Sequence, residues 1–255
     1  MKKENWINLG SYVDSVVKNN QIDPALYGKY GVKRGLRNED GTGVLVGLTQ
    51  IGDVHGYIVD EKEKGPVEGR LRYRGIELRD LVAGFQSEKR FGFEETVYLL
   101  LFGQLPNEEE LNAFCKLLGQ NRTLPASFTE DMILKIPSNN IMNKLARSVL
   151  VSYSYDEDPE DTSIENVLRQ SIQLIARFPT LISYGFQAKQ HYYHDKTLYI
   201  HSPDPEASTA ENILRLTRPD AQYSDLEAEL LDLALVLHAE HTINASTFAA
   251  LVAGS

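Results

Sequence analysis

The sequence predicts a mainly α-helical protein with a small β element near its start. Three observations carry that reading. Beyond residue 75, apolar residues recur at three- and four-residue spacings, with polar residues between them. Ser208-Thr209-Ala210-Glu211 and Ser224-Asp225-Leu226-Glu227 both match the capping-box pattern that opens helices. By contrast, Val44-Leu45-Val46 and Tyr57-Ile58-Val59 are strand-forming runs set among closely spaced glycines.

The elements follow in order. Residues 1–35 read as an N-terminal helical segment with a loop at Gln21-Ile22-Asp23-Pro24. Residues 36–75 read as the β region, in which Asp60-Glu61-Lys62-Glu63-Lys64-Gly65-Pro66 is an exposed connection. From about residue 76 to 255 the pattern is helical. Phe93-Glu94-Glu95-Thr96-Val97-Tyr98-Leu99-Leu100-Leu101-Phe102 is a strongly apolar helix closed by Gly103. Asn107 caps the next helix, and Glu108, Glu109 and Glu110 suit its positive end. That helix is expected to stop at Gly119. Helices over 141–155 and from 163 to about 189 flank the acidic loop Asp156-Glu157-Asp158-Pro159-Glu160-Asp161. Pro179 is expected to start, bend or end a helix within the second stretch. The helix opened by Ser224 puts Leu226, Leu230, Leu233, Leu237 and His241 on one stripe. His238 lies beside it, so both histidines are expected to continue a buried face.

Bulk properties exclude several classes. The chain has 255 residues and a net charge of -10, with a pI near 5.1. Phosphate would be repelled by such a surface, which argues against general nucleic-acid binding. The basic run Arg70-Leu71-Arg72-Tyr73-Arg74 reads as a solvated strand face. Mean hydropathy is -0.31, and no apolar run approaches the roughly 20 residues that span a bilayer. No apolar stretch follows Met1-Lys2-Lys3-Glu4-Asn5-Trp6, so no secretory signal is expected. Cys115 is the single cysteine, which excludes an intrachain disulfide and points to the cytoplasm.

The chemistry concentrates in Leu237-His238-Ala239-Glu240-His241-Thr242-Ile243-Asn244-Ala245-Ser246-Thr247-Phe248. His238 and His241 are close enough along a helix to face one space. Burying them beside Asn244, Ser246 and Thr247 is costly unless these groups bond each other or a ligand. Imidazoles there would donate to a carbonyl or carboxylate oxygen of a small polar substrate, and Asn244 would orient it. The competing readings are a satisfied core histidine pair and a metal site. The zinc motifs are H-E-x-x-H and H-x-x-E-H, whereas this chain has H-x-E-H, so no metal is expected. His191 and His194 read as solvated, His201 as structural, and His55 carries no assignment. Gly41-x-Gly43 does not continue as a phosphate loop, and no G-x-S-x-G elbow supports a nucleophilic serine.

These residues resemble the citrate synthase family, which includes the 2-methylcitrate synthases. The likeness rests on the 230–248 segment together with others in the same order: the run from Gly69 through Tyr73-Arg74-Gly75 to Leu81, the run from Phe93 to Pro106, Phe178-Pro179-Thr180, and Ala210-Glu211-Asn212-Ile213-Leu214. It runs from about Gly35 to Ala253. One departure is Asn140-Ile141-Met142, where many members read His-Pro-Met. The resemblance implies a citrate synthase-like multi-helical large domain over 36–255, with the small domain largely missing. It implies condensation of acetyl-CoA with oxaloacetate, with acetyl-CoA a substrate and no cofactor. It implies that His241 holds oxaloacetate and that His238 and Asn244 belong to the same wall. The catalytic histidine and aspartate are expected beyond Ser255, so the fragment alone is expected to be inactive. A homodimer through the helices at 141–155 and 163–189 is a further implication. The alternatives are propionyl-CoA as substrate, or a complete acidic helical module that binds and does not catalyse.

Overall fold

Helices packed on one another make most of the structure, and one three-stranded antiparallel sheet lies between the second and third of them in the chain. The computed structural model describes residues 9–30, 47–60, 63–240 and 245–254. The helices are α1 (Gly10–Asn19), α2 (Ala25–Lys29), α3 (Leu78–Ser87), α4 (Phe93–Phe102), α5 (Glu108–Gln120), α6 (Ile141–Ser152), α7 (Ile164–His194), α8 (Thr209–Thr217), α9 (Asp225–Leu237) and α10 (Ala245–Gly254). Strands β1 (Gly52–Asp60), β2 (Glu63–Tyr73) and β3 (Ile76–Glu77) pair in that order.

Local chemistry sets the helix ends. Gly103 closes α4 in the left-handed conformation at φ 77°, and its N–H donates to the Leu99 carbonyl. Asn107 with Glu110, Ser208 with Glu211, and Ser224 with Glu227 each form a reciprocal capping box. Asn140 and Ser163 accept from backbone N–H groups at the starts of α6 and α7.

Three expectations need correction. Helix α5 does not stop at Gly119 but runs on to Gln120, with Asn121 as its cap. Gly119 is a packing residue: a Cβ there would lie 2.0 Å from the Pro205 carbonyl oxygen. Helix α7 neither starts nor ends at Pro179 but passes through it, and it runs past residue 189 to His194. Pro179 is buried along with Ala176, Thr180 and Leu181, so apolar packing offsets the hydrogen bond that proline cannot make. Finally, Glu63 through Pro66 belong to β2 instead of a long connection, pairing with Asp60 through Tyr57. Strand β3 pairs only with Arg72 and Tyr73, so the missing Pro66 N–H costs no ladder bond on that side. The Val44-Leu45-Val46 run lies outside the described residues.

The core has three parts. In the first, Tyr12 of α1 stacks on Phe102 at 4.8 Å, and Phe102 meets Phe114 edge-on at 5.7 Å. The second gathers Phe128, Ile133, Leu181, Tyr184, Ala188 and Leu216 around α7. The third joins the sheet to α3, α4 and α9 through Tyr73, Leu81, Phe85, Leu99 and Val236. A buried ion pair links α4 to the start of α8. Glu94 accepts the Thr209 N–H at 2.7 Å, and Arg122 lies 3.9 Å away, donating to the Ala207 carbonyl at 2.8 Å. Among the described residues, no helix is long and apolar enough to cross a membrane.

Candidate active site

The site builds outward from α9, which Ser224 starts and three contacts fix in place. Asp232 is 1% exposed, and its carboxylate accepts the Gly92 N–H at 2.7 Å and the Phe93 N–H at 3.1 Å. It thereby caps α4, whose own N-cap residue Gly92 has no side chain to offer. Burial pushes its carboxyl up to about 6, outweighing the two N–H bonds that favour the charge; nearby Glu94 pushes the same way. One turn on, Val236 is fully buried in the third core. Its carbonyl accepts the Tyr73 hydroxyl at 2.8 Å. The same hydroxyl accepts the Glu240 N–H at 3.4 Å. The Glu240 side chain lies over Gly52, where a Cβ would sit 2.7 Å from its Cγ.

Helix α9 ends at Leu237, and His238 is its C-cap residue. The imidazole is exposed, and its Nδ1–H donates to the Ala234 carbonyl at 2.7 Å. A carbonyl only accepts, so the neutral ring carries its proton on Nδ1 and leaves Nε2 a bare acceptor. His238 therefore does not continue a buried face. Most of the leucine stripe does not face inward either: Leu226 is 64%, Leu230 57% and Leu237 44% exposed, and of its leucines Leu233 packs against the third core. The buried row is Ala228, Asp232 and Val236. The reason is that Asp232 must reach the N-terminus of α4, and that contact turns the helix. His241 and Asn244 lie outside the described residues.

The remaining histidines stay apart from this end. His194 is exposed, and His191 bonds the Lys196 carbonyl through Nδ1 at 2.8 Å. His201 Nε2 sits 3.0 Å from the Arg218 carbonyl and its ring stacks on Tyr199, a structural placement. His55 is exposed on β1. Within the basic run, Arg70 is solvated, but Arg72 pairs with Glu77 at 2.6 Å and Arg74 donates to the Leu100 carbonyl at 2.7 Å. Burial pushes the Cys115 thiol up to about 11, which keeps it protonated and poorly nucleophilic. Among the described residues, no group of three histidine, cysteine or acidic side chains is placed to hold a metal.

Sequence reasoning missed Tyr73 and Asp232. The alternation of arginines with Leu71 and Tyr73 signals an inward Tyr73, and Asp232 shares a four-residue row with Ala228 and Val236. Neither pattern names the distant partner.

Residues 38–255 match the family model described as citrate synthase, C-terminal domain. The citrate synthase of Acidithiobacillus ferridurans is 33% identical over 195 residues, covering 73% of this chain and 46% of that protein. The 2-methylcitrate synthase 2 of Corynebacterium glutamicum is 32% identical over 194 residues, covering 73% and 47%. The crystal structure of citrate synthase from Pyrobaculum aerophilum superposes with a TM-score of 0.66 at 26% identity, covering 86% of this chain and 53% of that one. The chain thus spans about half the length of the relatives it matches. From the sheet through α10 the match is continuous, and the chain belongs to the citrate synthase family.

Proposed function

We propose that the full-length protein carrying this chain condenses acetyl-CoA with oxaloacetate and hydrolyses the product thioester to citrate and CoA. The observation that carries this reading is the end of α9. The family's paired-histidine segment starts there, at a helix terminus pinned by Asp232, Val236 and Tyr73. Substrate groups held on rigid elements keep the geometry that condensation requires.

In this reading His241 binds oxaloacetate and polarises its ketone carbonyl, with His238 and Asn244 beside it. The acetyl methyl loses a proton, its carbon attacks that carbonyl, and water then cleaves the thioester C–S bond. The carboxylate base and the enol-stabilising histidine come from the half of the relatives that residues 1–255 do not span. Domain closure excludes water before the chemistry. The reaction uses no cofactor and no metal, and the protein works in the cytoplasm. The protein is a homodimer; α6 and the turn after it offer an exposed apolar face, with Met142 and Leu150 each 74% and Tyr153 53% exposed.

A second reading is synthesis of 2-methylcitrate from propionyl-CoA, favoured by the Corynebacterium relative at 32% identity. One assay separates the two. CoA release by the full-length protein is measured with oxaloacetate and either thioester, and the larger kcat/KM names the substrate. A polypeptide limited to these 255 residues releases none. Silence from the full-length protein with both thioesters would overturn the enzyme reading and favour a binding module.

A further inference from the structure

We propose that Tyr73 is a positioning residue for His238, acting through the turn that follows α9. This rests on the oxaloacetate reading above. Tyr73 and Gly52 are partners on one rung of the sheet, directly across β1 and β2. That rung meets Glu240 twice. The Tyr73 hydroxyl accepts the Glu240 N–H, and Gly52, lacking a Cβ, leaves room for the Glu240 side chain. The same hydroxyl donates to the Val236 carbonyl in the last turn of α9.

Tyr73 is well placed to act as a fixed post. It is fully buried, and Leu81, Phe85 and Leu99 share its core. Its hydroxyl spans the α9 end from the Val236 carbonyl to the Glu240 N–H, and His238 lies between those two contacts. Another donor to the Val236 carbonyl is the Ala239 N–H at 3.3 Å, a longer bond within the turn itself. Losing the hydroxyl removes the bond from the sheet to the Glu240 N–H and the one to the Val236 carbonyl, on either side of His238. The His238 Nδ1–H bond to Ala234, which sets its tautomer, depends on the helix end keeping its shape.

The test uses the full-length protein with Tyr73→Phe, Gly52→Ala and a control, Tyr184→Phe. Tyr184 is also buried, and its hydroxyl donates to the His201 carbonyl at 2.8 Å, far from the end of α9. The control therefore reports the cost of losing a buried tyrosine bond as such. Oxaloacetate affinity should fall about tenfold in Tyr73→Phe, with kcat changing less, and stay within about twofold in Tyr184→Phe. Gly52→Ala crowds Glu240 from the strand side, so it should weaken oxaloacetate in the same direction, and it decides the matter if Tyr73→Phe does not fold. The second readout is the ¹⁵N imidazole spectrum of His238 without substrate. Its signal should move toward the Nε2–H tautomer in both sheet variants and stay put in the control. Affinity and His238 signals that match the control in both sheet variants would overturn the proposal. Movement of the His238 signal in both sheet variants, when the wild-type protein itself binds no oxaloacetate, would instead support the positioning role and overturn the substrate reading.

Discussion

Helices α4 and α9 are both rich in leucine, yet they treat burial in opposite ways. Helix α4 buries two glutamates, Glu94 at 4% and Glu95 at 6% exposure, while α9 leaves three leucines more than 40% exposed. Partners account for the difference. Each α4 carboxylate has a donor: the Thr209 N–H and Arg122 for Glu94, and Arg90 at 2.8 Å for Glu95. Helix α4 also packs against α1, α5 and α9. Helix α9 meets α4 and α8, and it turns Asp232 toward the first of them. A buried acid with donors in place is tolerable, whereas an apolar side chain goes inside only where a neighbour covers it. Residue class therefore shows that a helix needs a covered face without showing which face is covered.

Four substitutions test how far that contrast reaches, and urea unfolding reads all of them. Gly119→Ala strikes the crowded region hardest, because its Cβ would meet backbone at 2.0 Å. A loss of about 4 kcal/mol or failure to fold is expected. Arg122→Met leaves the Glu94 carboxylate buried without its cation, at a cost of about 3 kcal/mol. A cost near zero would mean that the Thr209 N–H suffices for Glu94 without the cation.

Asp232→Asn sharpens the contrast through pH. The Asp232 carboxyl is raised from 3.8 to about 6, so the folded state holds its proton more tightly than the unfolded chain. Its stabilising contribution is complete below pH about 4 and is lost as pH rises through about 6. The wild-type advantage over Asp232→Asn should therefore shrink by about 2 kcal/mol between pH 4 and pH 7. A constant difference across that range would show that the carboxylate is already charged at low pH. Leu230→Gln, on the open face of α9, is the smallest change, within about 0.5 kcal/mol in this chain. A loss above about 1.5 kcal/mol would break the comparison by showing that this face is covered.

Much of the architecture was legible before any coordinates. The reciprocal caps at Asn107, Ser208 and Ser224 and the glycine stop at Gly103 fall where their residue types place them. The mainly helical fold with one small sheet follows, as does the family. The site was legible only as a segment. His238 sits at the end of α9 as its sequence position indicates, but it is exposed where the apolar stripe predicted burial. Pro66 and Gly119 looked like breakers, yet one lies inside a strand and the other inside a helix. In both cases a neighbour supplied the reason: a strand edge that β3 leaves unpaired for Pro66, and the Pro205 carbonyl for Gly119.

The division follows the range of the forces. A capping box closes within three residues, so the identity of Ser224 and Glu227 is enough to start α9. The rotation of that helix is settled elsewhere. It depends on Asp232 finding the N-terminus of α4, 139 and 140 positions away, and on Val236 finding the hydroxyl of Tyr73, 163 positions away. Those partners meet only once the chain has packed, so the inward face of α9, and with it the setting of His238, belongs to the tertiary structure.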